Sequence, residues 1–115
     1  MMQIERTDHG NVTVLRLEGN LDEGGIDAIR SALLECLNQG RFNLVINLHK
    51  VRFFSYMGVG ILVERLRKCR SANGDLKLVG MNLCADRLFR MVGISSLFEA
   101  YESEPQAIAV FQEAA

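Results

Sequence analysis

Apolar residues recur along the chain with two periods, one typical of strands and one typical of helices. Short runs rich in β-favouring residues predict strands, and these runs cover residues 3–6, 12–17, 44–48, 76–79 and 97–101. The turn-like segment at residues 8–11 indicates that the first two strands form a hairpin. The run at 44–48 is mostly apolar and bounded by polar residues, so we expect it near the centre of the sheet.

Helical spacing of apolar residues predicts four helices. These cover residues 26–37, a stretch that starts at Met57 and stops before Asn73 and Gly74, residues 85–92, and the chain from 105 onward. Asp22 and Ser103 stand where the first and last helices need an N-cap, and Gly93 closes the third. With the strands this gives the order β-β-α-β-α-β-α-β-α.

This element order predicts an α/β fold with a mainly parallel, mixed sheet of about five strands and four helices. A chain of 115 residues is long enough to bury one apolar core and too short for two ordinary domains, so residues 1–115 are expected to form a single domain.

Composition and charge exclude several classes of function. The 13 Lys and Arg residues nearly balance the 14 Asp and Glu residues, so no overall field attracts a polyanion and nucleic acid is not an expected partner. No apolar run approaches the roughly 18 residues of a membrane helix, and residues 1–10 lack the pattern of a secretory signal. The sequence thus predicts a cytoplasmic protein without direct membrane insertion.

The residues that usually carry catalysis are scattered. His9 and His49 have no matched acid spacing, and the three cysteines, Cys36, Cys69 and Cys84, are odd in number and far apart. We therefore predict no catalytic residue, metal or cofactor, and read the cysteines as core or half-buried residues. A small Cys or His enzyme stays as an alternative, which rapid, pH-dependent alkylation of Cys69 or Cys84 would support.

Basic residues cluster near the end of the predicted second helix. Arg65, Arg67, Lys68 and Arg70 lie within six positions of one another. Cations oppose the negative end of a helix dipole, so the simplest interpretation of this run is a solvated helix face. An acidic partner is the minority interpretation.

In an open α/β sheet, partners and ligands meet the loops at the carboxyl ends of the strands. The predicted loops there are residues 19–22, 51–60 and 80–82. The second is the most unusual, because Phe53, Phe54, Tyr56 and Met57 crowd one strand-to-helix junction. We expect the two phenylalanines to cover the end of the sheet, whereas Tyr56 and Met57 are equally well read as core or as partner-facing residues.

Small residues surround these bulky ones. Ser55 is placed to cap the second helix by accepting a hydrogen bond from a backbone amide. Gly58 and Gly60 each cost about 1 kcal/mol of helix propensity against alanine. The close approach of another backbone is the expected reason for both glycines.

Several separated segments resemble the STAS family, the domain of bacterial anti-sigma-factor antagonists. They are LEGNLD at residues 17–22, LVINL at 44–48 leading through VRF at 51–53 to GVG at 58–60, LKLVG at 76–80, and LFRMVGI at 88–94 with LF at 97–98. The resemblance covers nearly the whole chain. It implies a sheet with helices packed against it, and binding of an anti-sigma factor or other kinase-like ATP-binding protein so that a sigma factor is released.

The family's switch is altered in this sequence. Its loop usually reads Asp-Ser-Ser-Gly-Leu-Gly, and a serine there is phosphorylated by the partner kinase, which breaks the complex. The matching residues are Ser55-Tyr56-Met57-Gly58-Val59-Gly60. Met57 therefore stands at the phosphoacceptor position, Ser55 replaces the aspartate, and Asn47 replaces the aspartate usual in the preceding strand. The resemblance implies that recognition is retained while the switch residue is lost.

The predicted partner-binding residues all come from the three loops. They are Asp22, Ser55, Tyr56, Met57, Gly58, Val59, Gly60, Met81 and Asn82. Within the same fold, a cytosolic STAS subunit of an ABC lipid-transport system or a signalling scaffold remains an alternative. Self-association and phosphorylation of Ser55 or Tyr56 also stay open.

Overall fold

A five-stranded mixed sheet forms the centre of the molecule, and a computed structural model describes residues 2–113 of it. The strands lie side by side in chain order: β1 (Gln3–His9), β2 (Val12–Leu21), β3 (Asn43–Phe54), β4 (Asp75–Val79) and β5 (Ala100–Tyr101). β1 and β2 form the predicted antiparallel hairpin, and each later pair of neighbours is parallel. β3 is the central strand, as predicted.

Four helices connect or follow the strands. They are α1 (Glu23–Asn38), α2 (Tyr56–Ser71), α3 (Leu83–Met91) and α4 (Glu104–Glu113). The predicted α/β fold, with a mainly parallel sheet of five strands and four helices, is confirmed. Among residues 2–113, none of the helices combines the length and the apolar composition that crossing a membrane requires.

Alternate side chains of the central strands supply two separate cores, because successive residues of a strand point to opposite faces. Leu44 and Ile46 belong to a large core that also contains buried residues of α1, α2 and α3. Val45, between them, belongs to a smaller core of valines closed by Ala107 of α4. Strand β3 is therefore buried on both faces, which explains its nearly continuous apolar run.

Two strands differ in length from their predictions. β3 continues six residues past Leu48 to Phe54, because β2 also continues and pairs with it through two register irregularities, so that Leu21 lies opposite Phe54. The strand predicted at 97–101 is reduced to its last two residues. The Leu97 amide instead donates to the Ile94 carbonyl within a turn. Phe98 is buried and packs on Phe89, with ring centroids 5.5 Å apart.

A polar cluster holds the first turn of α4 on the sheet. The Nε and Nη2 groups of Arg16 each donate to one oxygen of the Glu104 carboxylate at 2.7 Å, and the Asn47 amide donates to the same carboxylate at 2.6 Å. The hydrogen bond from Arg16 is the main reason that the pKa of Glu104 lies below its ordinary value of 4.5. The cluster thus joins α4 to β2 and β3 through one carboxylate.

This cluster predicts a specific loss of stability in acid. The pKa of Glu104 is lower in the folded than in the unfolded chain, so its contribution is complete above pH 4.5 and is lost as pH falls through the folded-state value. Glu104→Gln should cost about 1–3 kcal/mol at neutral pH and less at lower pH. Urea unfolding across the acid range checks this, with exposed Glu113→Gln as the control. A constant cost across that range would contradict it.

Candidate functional site

Three helix N-termini meet at the carboxyl edge of the sheet. Their N-caps are Asp22, Ser55 and Asn82, each of which accepts hydrogen bonds from backbone amides two or three residues later, at 2.8–3.2 Å. The caps predicted at Asp22 and Ser55 are confirmed. These oxygens satisfy amides that a helix otherwise leaves unpaired, so the three residues position the helices that follow them.

Hydrogen bonds also fasten these helix starts to the strands. The Ser55 backbone amide donates to the Leu21 carbonyl at 3.0 Å, and the Asn82 side-chain amide donates to the Val51 carbonyl at 3.0 Å. The beginning of α2 is therefore tied to the end of β2, and the beginning of α3 to β3. The three predicted loops form one continuous edge of the molecule.

The first turn of α2 displays two bulky side chains to solvent. Tyr56 is 63% exposed and Met57 is 53% exposed. They are the first two residues of α2, directly after the Ser55 cap, with no loop between strand and helix. The stretch predicted as a loop at 51–60 is thus the end of β3 followed at once by α2.

The neighbouring phenylalanines separate into one core residue and one surface residue. Phe54 is buried and packs edge-on against Phe89, with ring centroids 5.6 Å apart. Phe53 points the other way and is exposed. The expectation that both phenylalanines cover the sheet is therefore correct for Phe54 and wrong for Phe53.

Gly58 and Val59, both in the predicted binding set, are buried. A Cβ atom at Gly58 would lie 3.2 Å from the Leu21 Cβ and 3.5 Å from the Leu21 carbonyl oxygen, so the close contact is with a side chain rather than with the backbone that was predicted. Val59 is part of the large core. Because neither residue offers a side chain to solvent, the two shape the turn beneath Tyr56 and Met57.

Gly60 differs from Gly58. It is exposed, and a Cβ atom built on it would meet no other atom of residues 2–113 within 4 Å. The close approach predicted for Gly60 is therefore wrong within this chain. Because Gly60 has no side chain, the helix backbone is uncovered one turn after Tyr56.

The remaining members of the predicted set lie at the start of α3. Met81 is half-buried and packs against the large core. Asn82 is exposed but uses its side chain for the cap and for the bond to β3. Of the nine predicted residues, Tyr56 and Met57 are thus the ones with large side chains free to contact a partner.

Charged residues of α2 are only partly solvated. Arg67 and Lys68 are exposed, as predicted, and Arg70 is exposed while it pairs with Asp75. Arg65 is buried and pairs with Glu64 at 3.0 Å, and among residues 2–113 its Nε has no hydrogen-bond partner. The interpretation as a solvated face is therefore wrong for Arg65.

Two of the three cysteines are poorly suited to act as nucleophiles. Cys36 and Cys69 are buried, and burial raises the pKa of both thiols, that of Cys69 to about 12. A thiol with such a pKa supplies almost no thiolate at neutral pH. Cys84 is exposed on α3, so the prediction of a core or half-buried position is wrong for this residue.

Within the described residues, no three His, Cys, Asp or Glu side chains are arranged to hold a metal ion.

Three exposed apolar residues of β3 and α3 were not in the predicted set. They are Phe53, Leu83 and Met91. The helical period of α3 contains the signal for two of them, because Leu83 and Met91 lie away from the buried Ala85 and Phe89. The signal for Phe53 depends on the register of β3, which the sequence pattern does not reveal.

Comparison with known proteins gives consistent results. Residues 3–107 match the family described as the STAS domain. The anti-sigma F factor antagonist of Paenibacillus polymyxa is 26% identical over 108 residues, covering 93% of this chain and 92% of the relative.

Solved structures with similar folds include two antagonists of this kind. An anti-sigma factor antagonist from Mycobacterium paratuberculosis has a TM-score of 0.87 at 22% identity, covering 97% of this chain and 95% of its own. The Bacillus cell fate determinant SpoIIAA, in its phosphorylated form, has a TM-score of 0.73 at 24% identity, covering 95% of this chain and 97% of its own.

The two glycines of α2 should respond oppositely to the same substitution. Gly60→Ala adds a methyl group in open space and should stabilise the fold by up to about 1 kcal/mol through helix propensity. Gly58→Ala forces a methyl group against the fully buried Leu21 and should cost about 1–3 kcal/mol through overpacking. Urea unfolding of the two variants measures both effects. Equal changes in the free energy of unfolding of the two variants would show that Leu21 does not constrain the start of α2.

Proposed function

This chain belongs to the STAS family, and we propose that it is a non-enzymatic regulatory module that binds a kinase-type anti-sigma factor. Binding occurs through what we call the α2 surface, formed by Phe53, Tyr56, Met57 and Gly60. Occupation of the anti-sigma factor then relieves its inhibition of a sigma factor. The named relatives from Paenibacillus and Mycobacterium are antagonists of anti-sigma factors, which supports this role.

The observation that carries the proposal is the exposure of Tyr56 and Met57 on a rigid helix start. Exposed large apolar side chains at the centre of a patch are typical of protein interfaces, in which aromatic residues and methionine are enriched. The Ser55 cap and its bond to Leu21 fix the backbone that carries both side chains before a partner arrives. Binding therefore requires little ordering of the backbone, which favours affinity.

Gly60 supports the same surface. A glycine in an exposed helix turn costs stability, and no atom of residues 2–113 lies where its side chain would be. Backbone without a side chain lets another chain approach closely. The α2 surface thus combines two protruding side chains with a depression one turn away.

The side chain at position 57 determines how the surface is regulated. Phosphorylation adds about −1.5 to −2 charges and disrupts an interface by repulsion and by the cost of desolvation. Met57, at the position of the family's phosphoacceptor serine, has no hydroxyl group to modify. Ser55 keeps its Oγ engaged as a helix cap and is only half-exposed. Docking through this surface is therefore independent of phosphorylation at position 57.

A charge placed at Met57 should weaken docking. Met57→Asp puts a carboxylate where the partner buries an apolar side chain, and we expect the dissociation constant to rise at least about tenfold, or 1.4 kcal/mol. Tyr56→Ala should cost about 1–3 kcal/mol. Because an acidic residue in the first turn favours a helix, reduced binding by Met57→Asp will not come from unfolding.

Titration calorimetry against the purified kinase-type anti-sigma factors of the source organism measures these effects. Leu34→Asp is the matched control, since Leu34 is an exposed apolar residue in the second half of α1. If one of these factors binds the chain and both α2 variants bind it as tightly as the unaltered protein, the interface lies elsewhere. If none of them binds, the proposed function is wrong.

A further inference from the structure

The solvent side of α3 carries an apolar stripe interrupted by one cation. Leu83 is 81% exposed and Met91 is 70% exposed, the two highest values among the large apolar side chains of residues 2–113. They are eight residues apart, about 12 Å along a helix, and Arg87 lies midway. We call Leu83, Arg87 and Met91 the α3 stripe.

The α3 stripe continues the α2 surface. The Asn82 side chain donates to the Val51 carbonyl at 3.0 Å, which fixes the start of α3 beside β3. Leu83 follows Asn82 directly and begins α3, as Tyr56 and Met57 begin α2. Because β3 and β4 are neighbouring parallel strands, both helices begin at the same edge of the sheet, and a partner that covers Tyr56 and Met57 is close to Leu83.

The charge of the stripe indicates what covers it. Among residues 2–113 the Arg87 guanidinium has no ion-pair or hydrogen-bond partner, and neither does that of Arg52 at the end of β3. The nearest carboxylate along α3, Asp86, is already paired with Arg90 at 2.9 Å. A free cation between two apolar side chains complements a segment that places a carboxylate between two apolar residues of its own.

A second copy of this chain does not supply that complement. In a twofold arrangement with antiparallel α3 helices, Leu83 would meet Met91 of the other copy, but Arg87 would meet Arg87. Like charges facing each other in an interface are unfavourable. A dimer that pairs two α3 stripes is therefore unfavourable, and a different chain with an acidic, amphipathic segment fits the stripe better.

We infer that the α3 stripe is the second half of the partner-binding surface, an inference that rests on the proposed function. It receives an amphipathic helix of the anti-sigma factor that sets an Asp or Glu side chain opposite Arg87, with apolar side chains against Leu83 and Met91. The α2 surface and the α3 stripe then bind two different parts of one partner.

Substitutions in the stripe test the inference by titration calorimetry with the same anti-sigma factor. We expect Leu83→Ser and Met91→Ser each to raise the dissociation constant about tenfold, and Arg87→Glu to raise it more, whereas Arg87→Lys keeps most of the affinity. Leu34→Ser on α1 is the control for an exposed apolar residue. All four positions are exposed, so circular dichroism should show an unchanged fold in each variant.

Cys84 provides an independent measurement on the unaltered protein. It is exposed next to Leu83, whereas the other two cysteines are buried, so N-ethylmaleimide should label Cys84 first. Intact-mass spectrometry follows the labelling. Saturation with the anti-sigma factor should slow it at least about tenfold.

Each result either supports or overturns the inference. If Met57→Asp weakens binding while the stripe variants and the Cys84 labelling rate are unchanged, the proposed function stands and the α3 inference is wrong. Slower labelling at higher concentrations of the chain alone would show that a second copy covers the stripe. Slower labelling with vesicles of phosphatidylglycerol and phosphatidylcholine, but not with the anti-sigma factor, would show that it binds lipid. Either of these two results would overturn the inference.

Discussion

The architecture of the site depends on how α2 is joined to the sheet. The Ser55 amide donates to the Leu21 carbonyl of the neighbouring strand, while the Ser55 hydroxyl caps the helix through Gly58. These two bonds let α2 start with only Ser55 between it and the end of β3, and the missing side chain of Gly58 lets the helix lie against Leu21. Tyr56 and Met57 therefore point away from the core.

Much of the fold follows from short-range patterns. The helix caps at Asp22 and Ser55, the hairpin and the order of elements were predictable because each depends on residues within a few positions of one another. The apolar run at 44–48 indicated a strand buried on both faces, and β3 is covered by α1–α3 on one face and by α4 on the other. The motifs place the candidate site at the carboxyl edge of the sheet, where the three helix caps lie.

The mistaken predictions concern properties that neighbouring elements determine. β3 is longer than predicted because β2 continues beside it through irregular register, and the same register leaves Phe53 exposed. The burial of Arg65 and the exposure of Cys84 depend on how α2 and α3 pack. Nothing among residues 2–113 explains why position 60 is a glycine.

We propose that a kinase-type anti-sigma factor binds the α2 surface. The factor cannot break this complex by phosphorylating position 57, because Met57 has no hydroxyl group. Incubation of the complex with ATP and magnesium, followed by intact-mass spectrometry and analytical size exclusion, tests this most directly. We expect no added phosphate and a complex that persists, whereas a Met57→Ser variant should gain one phosphate and dissociate. A phosphate on the unaltered chain, mapped to Ser55 or Tyr56 and accompanied by dissociation, would contradict it.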